Sequence, residues 1–362
     1  MIQSRVDRIL AKMKEEGITQ MIISDSPAIF YLTGKWIRSG ERMQALYLNV
    51  NGKNKLFLNR LFPQKDDLGV EIVYYDDVED SVEILSKFVE KDKPIGVDKF
   101  WQARFLLRLQ ELGSGSKYLN GSIIVDHVRL IKDAKEQKLM WEAGLANDKI
   151  MEQLVPLVVK GYTEKEMNDI VRKMYLDSGH SGVSFDPIIG YGKSNGDPHH
   201  ATDNTKGKRG DSVIIDIGGV LNDYCSDMTR TVFIGEVSER GREIYEIVKE
   251  AQARGIAAAK PGNRMCDVDH ACRDYITEKG YGDYFVCRTG HTIGIEDHEF
   301  GDVSSVNEEI IKPGQVFSIE PGVYLDDEAL GVRIEDLVLI TEDGCEVLNH
   351  YTKDLTVVPE NN

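Results

Sequence analysis

Apolar residues near the start of the chain fall at Ile2, Val6, Ile9, Leu10 and Met13, with charged residues between them. That is helical spacing, so the chain opens on an amphipathic helix. The pattern then tightens. QMIISD (20–25) is a short apolar run ending in Asp-Ser-Pro. ALYLNVNGKNKLFLN (45–59) reads as two strands about an Asn-Gly turn, and VEIVYYD (70–76) and KPIGVD (93–98) as further strands. Helical patterns cover 80–91 and 100–116, the second stopped by glycine and serine. Residues 1–126 are therefore expected to form a small α/β domain.

From residue 127 the character changes. Long helical patterns cover 134–161 and 163–179, the second opened by a Thr163–Glu166 capping box. Two more cover 242–262 and 265–280. Strand patterns fall at 211–219, 224–235, 315–324 and 332–341, with a closing strand at 352–358. Helices and strands come in paired runs rather than strict alternation. That predicts an α+β domain over 127–362, an antiparallel sheet backed by helices. No internal repeat or low-complexity tract interrupts it.

Composition narrows the partners. With 44 basic and 61 acidic residues the formal charge is −17. Such a surface repels nucleic acid and anionic membrane. The first twenty residues lack the apolar run of a signal peptide or membrane span, so a cytoplasmic protein is expected. The five cysteines, Cys225, Cys266, Cys272, Cys287 and Cys345, show no CxxC spacing. They read as reduced thiols rather than as a metal site or disulfide scaffold.

The chemistry lies in two candidate hairpins. In DSVIIDIGGVLNDYCSDMTRTV, a turn centred on Leu221 and Asn222 would set Asp216 opposite Asp227. In SIEPGVYLDDEALGVRIEDL, a turn in the acidic loop would set Glu320 opposite Glu335. Like charges opposed on one sheet face are destabilising unless a cation lies between them. Four carboxylates buried unpaired would cost several kcal/mol each or take up protons. Two divalent cations would balance them, and His291, in a glycine-flanked stretch, could add a nitrogen. An oxygen-rich set with one imidazole suits Mn²⁺, Co²⁺ or similar ions.

The ordered set DIGG, CSDMTR, TGHTIG, IEPGVY and VRIED resembles the pita-bread metallopeptidase family, and within it the Xaa-Pro peptidases, proline dipeptidase and aminopeptidase P. The resemblance implies a creatinase/aminopeptidase-like catalytic domain and a creatinase/prolidase-type first domain. It implies two divalent ions per chain, Mn²⁺ first, Co²⁺ or Zn²⁺ as alternatives. Asp216 would bind one metal, His291 with Glu320 the other, and Asp227 and Glu335 would bridge them. Glu320 would also shuttle the proton, and His199 and His298 would hydrogen-bond the substrate. Arg333 matches the family's arginine beside the site. Short peptides would be the substrates, with the free amino end near Asp216. A homodimer is implied, with the first domain leaning over the partner's site; Trp36 is read as a core or surface aromatic.

Three positions depart from the family's text. Thr292 replaces a glycine, and Cys287 stands where histidine is frequent. Asp302 stands where some prolidases carry an arginine for the substrate carboxylate, which weakens strict dipeptidase activity. His200 reads as a bystander, and GYGKSNG (190–196) as an active-site loop. The alternatives are an aminopeptidase without strict proline preference and a non-catalytic peptide-binding member of the fold.

Overall fold

A computed structural model describes residues 1–197 and 200–360. The chain divides into two units, Met1–Arg129 and Leu130–Asn362. In the first, α1 (Gln3–Glu15) buries Val6, Ile9 and Met13, the stripe its spacing predicts. A mixed six-stranded sheet follows the order β4-β3-β2-β1-β5-β6, with β1 Gln20–Ile23, β2 Ala45–Asn49, β3 Lys55–Asn59, β4 Glu71–Tyr75, β5 Pro94–Val97 and β6 Lys117–Asn120. Its helices are α2 (Ser26–Thr33), α3 (Ser81–Ser86), α4 (Ala103–Glu111) and α5 (Ser122–Leu130). The sequence pattern does not reveal α2, because AIFYL is buried on all sides and carries no helical period. Local chemistry makes it: Asp25 caps it by accepting from the Ala28 amide, and Gly34, at φ 71°, ends it.

The second unit sets two helix pairs against antiparallel strands. α6 (Ala134–Leu154) and α7 (Glu164–Asp177) pack Ile150, Leu154, Met167 and Tyr175 on one group of strands. These are β7 (Gly182–Val183), β8 (Ile188–Tyr191), β9 (Ser212–Ile217), β10 (Gly219–Leu221), β11 (Tyr224–Cys225) and β12 (Met228–Ile234). α8 (Glu239–Ala258) and α9 (Met265–Glu278) pack Ile244, Val248, Val268 and Ile276 on a second group. Here lie β13 (Gly290–His291), β14 (Asp302–Val303), β15 (Val316–Ile319), β16 (Gly322–Leu325), β17 (Leu330–Arg333), β18 (Asp336–Ile340) and β19 (Cys345–Val347). The closing strand, β20 (Thr356–Val358), pairs with β12 in parallel; the other ladders of this unit are antiparallel.

The registers decide where the carboxylates go. In the first hairpin Leu221 pairs with Tyr224 and Asp216 with Thr229. The turn is therefore Asn222–Asp223, both at positive φ (50° and 68°), the signature of a type I′ turn. Asp216 is thus not directly opposite Asp227. The slip is two residues, so both side chains keep the same face and become diagonal neighbours. In the second hairpin the ladders on either side share one register: Ile319 with Asp336, and Gly322 with Arg333. Glu320 and Glu335 face one another in the break between them, where Pro321 has no N–H to give.

Candidate metal centre

The two hairpins are tied together at Glu335. Its amide donates to the Thr229 carbonyl at 3.1 Å, and the Arg333 amide donates to Thr231 Oγ1 at the same distance. Asp216 and Asp227 from the first hairpin, and Glu320 and Glu335 from the second, therefore line one cavity of about 510 Å³, together with His291, Asp297, His298 and Arg333. His291 Nε2 lies 3.3 Å from Asp227 Oδ2 and 3.5 Å from Glu320 Oε1.

Neighbouring side chains hold these groups in place. Ser318 Oγ accepts from the His291 amide and donates to Glu320 Oε1, at 3.0 and 2.9 Å. Thr229 Oγ1 donates to Glu335 Oε2 at 2.7 Å and accepts from Arg333 Nε at 3.1 Å. Arg333 donates further to Asp216 Oδ2 at 2.5 Å and to Tyr324 Oη at 2.9 Å. His291 Nδ1 lies 3.3 Å from the Thr292 carbonyl. A proton on Nδ1 leaves the Nε2 lone pair facing the carboxylates.

The donor set fits divalent cations. Asp216 Oδ1, Asp227 Oδ1 and Glu335 Oε1 are buried and hydrogen-bonded to nothing. Such orphaned carboxylate oxygens are costly unless a cation or proton satisfies them. Ligand atoms of Asp227, His291 and Glu335 lie within 4.8 Å of one another. Burial, then the Glu335 charge, pushes Asp227 well above the usual carboxylate range; burial and the Glu320 and Asp216 charges do the same to Glu335. Burial raises Glu320 to about 7, with Arg333 opposing. Burial also lowers His291, keeping it neutral and able to ligate.

The remaining predicted positions divide. His298 stands at the cavity mouth, its ring stacked on His291 with centroids 3.8 Å apart. Arg288 Nη2 donates to its Nδ1 at 2.8 Å, and burial with His291 alongside lowers its pKa to about 4. It is a neutral imidazole presenting Nε2–H. His199 lies outside the described residues. His200 does not line the cavity; its Nε2 donates to Glu164 Oε2 at 2.7 Å. Glu164 also accepts from the Asp203 amide and, through Oε1, from the Tyr191 amide, at 2.9 and 3.1 Å. That cluster is a satisfied anchor fixing residues 200–203 to the start of α7, not a ligand set.

GYGKSNG does not line the cavity; Phe185, Asp186 and Ile188, just before it, do. Asp302 does not line it either. Its Oδ1 accepts from Ser304 Oγ at 2.7 Å, so it does not oppose a substrate carboxylate there. Thr292 fills the space a glycine would leave, donating to the Phe300 carbonyl at 2.6 Å. Cys287 lines the cavity as a thiol, its pKa raised by burial. Asp297, Arg288 and Tyr324 are cavity residues that the sequence pattern left unassigned. All three sit inside or beside the motifs, but residue spacing does not say which side chains turn inward.

Two family models match: metallopeptidase family M24 over residues 138–342, and the creatinase/prolidase N-terminal domain over residues 5–131. An uncharacterized peptidase of Staphylococcus aureus strain MW2 is 33% identical over 356 residues, covering 97% of this chain and 100% of its own. The crystal structure of a prolidase from Thermococcus sibiricus superposes with a TM-score of 0.92 at 30% identity, covering 99% of each chain. A dipeptidase from Pyrococcus horikoshii OT3 gives 0.91 at 30% identity over 98% and 99%. An Xaa-Pro dipeptidase from Bacillus anthracis gives 0.90 at 28% identity over 99% and 100%.

Proposed function

Because the chain belongs to metallopeptidase family M24, we propose that it hydrolyses the Xaa-Pro bond at the N-terminus of dipeptides or short peptides. One observation carries the reading. The two hairpins and His291 bring five donor side chains into one cavity, with three carboxylate oxygens left open. The proposed ligands are Asp216 for one ion, His291 and Glu320 for the other, and Asp227 and Glu335 for both. Mn²⁺ is the proposed metal. When bound, two such ions supply Lewis acidity and a nucleophile acidified to near neutral pH.

The chain's own residues do the rest. Glu320 has one oxygen held by Ser318, and its carboxylate is the group proposed to take a proton from the attacking water and return it to the leaving proline nitrogen. His298 presents Nε2–H to the oxygen on which charge develops. Arg333 fixes Asp216 in place through a hydrogen bond and ion pair. His199 is proposed as a second substrate contact. The reading includes a homodimer in the cytoplasm, with no nucleic-acid or membrane partner. The five cysteines are free thiols, and among the described residues no helix is long and apolar enough to cross a membrane.

The test is a peptide panel, Ala-Pro, Ala-Pro-Ala and Ala-Ala, with Mn²⁺, Co²⁺ and Zn²⁺ added in turn. The expected outcome is metal-dependent cleavage confined to the proline peptides. Cleavage of Ala-Ala at the same rate, or of none with any metal, overturns it.

A further inference from the structure

We propose that Arg288 reads the substrate's C-terminal carboxylate, so that dipeptides rather than longer peptides are the preferred substrates. The inference deepens the peptidase reading and rests on it for the identity of the substrate. Arg288 is exposed and lines the cavity beside Cys287 and the exposed Val286. Its Nη2 donates to His298 Nδ1 at 2.8 Å, which places the guanidinium at the cavity mouth.

That bond uses one of the guanidinium's five N–H groups. The charge of Arg288 is felt at Glu320 and Cys287, but among the described residues no carboxylate comes within ion-pair distance of it. The cavity's other arginine is committed: Arg333 donates to Asp216, Thr229 and Tyr324. No lysine lines the cavity, and the remaining charged side chains on its wall are acidic, Asp186 and Asp297 included. Apart from bound metal, an entering carboxylate therefore meets a favourable charge only at Arg288. A guanidinium with its fork free is the side chain best shaped to take a carboxylate through two parallel hydrogen bonds.

Position identifies which carboxylate. In an Xaa-Pro dipeptide the carboxylate carbon is three bonds from the scissile carbonyl carbon, so both groups fall in one cavity. His298 is placed at the carbonyl oxygen, and Arg288 is bonded to the other nitrogen of the same ring. The amino end lies by Asp216, to which Arg288 makes no hydrogen bond, so the two ends of the dipeptide have separate receptors. Asp302 is no obstacle, since it lies off the cavity wall with its Oδ1 accepting from Ser304. A chain that continues past proline puts a neutral amide before Arg288 and carries its carboxylate one residue further out.

The experiment compares wild type, Arg288→Gln and Arg288→Lys as the full chain with Mn²⁺. The substrates are Ala-Pro, Ala-Pro-Ala and L-alanyl-L-prolinamide, which lacks the carboxylate. Wild type is expected to favour Ala-Pro over the amide by tenfold or more in kcat/KM, on the order of a hydrogen-bonded charge, and chiefly through KM. Ala-Pro-Ala should fall between them or match the amide. Arg288→Gln should lose the preference by slowing on Ala-Pro while the amide stays within a few-fold, and Arg288→Lys should restore part of it. A residue that only orients His298 would lower all three substrates alike, so equal losses overturn the assignment, as does an undiminished preference in Arg288→Gln. If Arg288→Gln lowers Tm, Arg288→Met carries the same comparison. If wild type cleaves none of the three, the peptidase reading falls, and calorimetry with N-acetyl-L-proline against N-acetyl-L-prolinamide decides Arg288. Tighter binding of the acid that is lost in Arg288→Gln supports the assignment; equal binding, or a preference kept in the variant, overturns it.

Discussion

Glu320 shows how one buried carboxyl links stability to pH. Burial raises it to about 7, and Asp227 and Glu335 are driven well above their usual range by burial and then by neighbouring carboxylates, Glu335 for the first and Glu320 and Asp216 for the second. In the unfolded chain all three are ionised above about pH 5. Between pH 6.5 and 8 the metal-free folded chain therefore holds more protons than the unfolded chain, so its stability falls as pH rises. His291 and His298 act in the opposite sense. Burial lowers them, while in the unfolded chain they are about half protonated at pH 6.5 and lose those protons toward pH 8, so they offset part of the fall without reversing the effect of three raised carboxyls. We expect the Tm of chelator-treated protein to be lower at pH 8 than at pH 6.5, with the difference shrinking in Glu320→Gln. Mn²⁺ competes with the same protons, so the Tm gain on adding it should be larger at pH 8. A Tm of the chelated protein that rises across this interval contradicts the proton assignment.

At the scale of elements, the close approach of β13 to β15 sets the metal ligands. A Cβ on Gly290 would stand 1.9 Å from the Ser318 carbonyl oxygen, so only glycine lets these backbones meet. Ser318 in turn holds both the His291 amide and Glu320. Gly290→Ala must push the strands apart, with a cost of about 1–3 kcal/mol typical of overpacking. Because the displaced partner supports two proposed ligands, Mn²⁺ affinity should fall roughly 10–100-fold. Gly344→Ala, where nothing lies within 4 Å, is the control and should change neither. Urea unfolding and Mn²⁺ titration read both effects; equal affinity in the two variants would remove β13–β15 spacing from the account. The sequence reveals the hairpins and their acids, because alternating apolar residues and turn chemistry are local signals. It misplaces the first turn by one residue, since both VLN and LND offer turn-forming residues and only the backbone at Asn222 and Asp223 chooses between them. The two-residue change in pairing that results keeps Asp216 and Asp227 on one face, so the metal hypothesis is unaffected by it. Glu164 and Asp297 are hidden for another reason: each sits in a charged stretch that reads as surface, and only the tertiary fold turns it inward.

For the molecule as a whole, the question is which part carries the chemistry. One hydrophobic core is built from residues between Ile22 and Leu109. Two others among the described residues are built from Ile150 onward, and each lies within one unit. A unit with its own core can fold alone. Every proposed metal ligand, from Asp216 to Glu335, belongs to the second unit, as do Ser318, Thr229 and Arg333 that support them. Residues 130–362 expressed alone should therefore unfold in one cooperative transition and keep a Mn²⁺-induced rise in Tm. The proposed dimer, in which the first domain covers the partner's site, makes a separate demand. If it holds, the isolated unit should be monomeric by light scattering and should cleave Ala-Pro with a raised KM. A cooperative fold with no metal-induced rise would place a ligand or its support in residues 1–129, contrary to the distribution of donors along the chain. Loss of cooperative folding would mean that the second unit's cores need the first unit to close them.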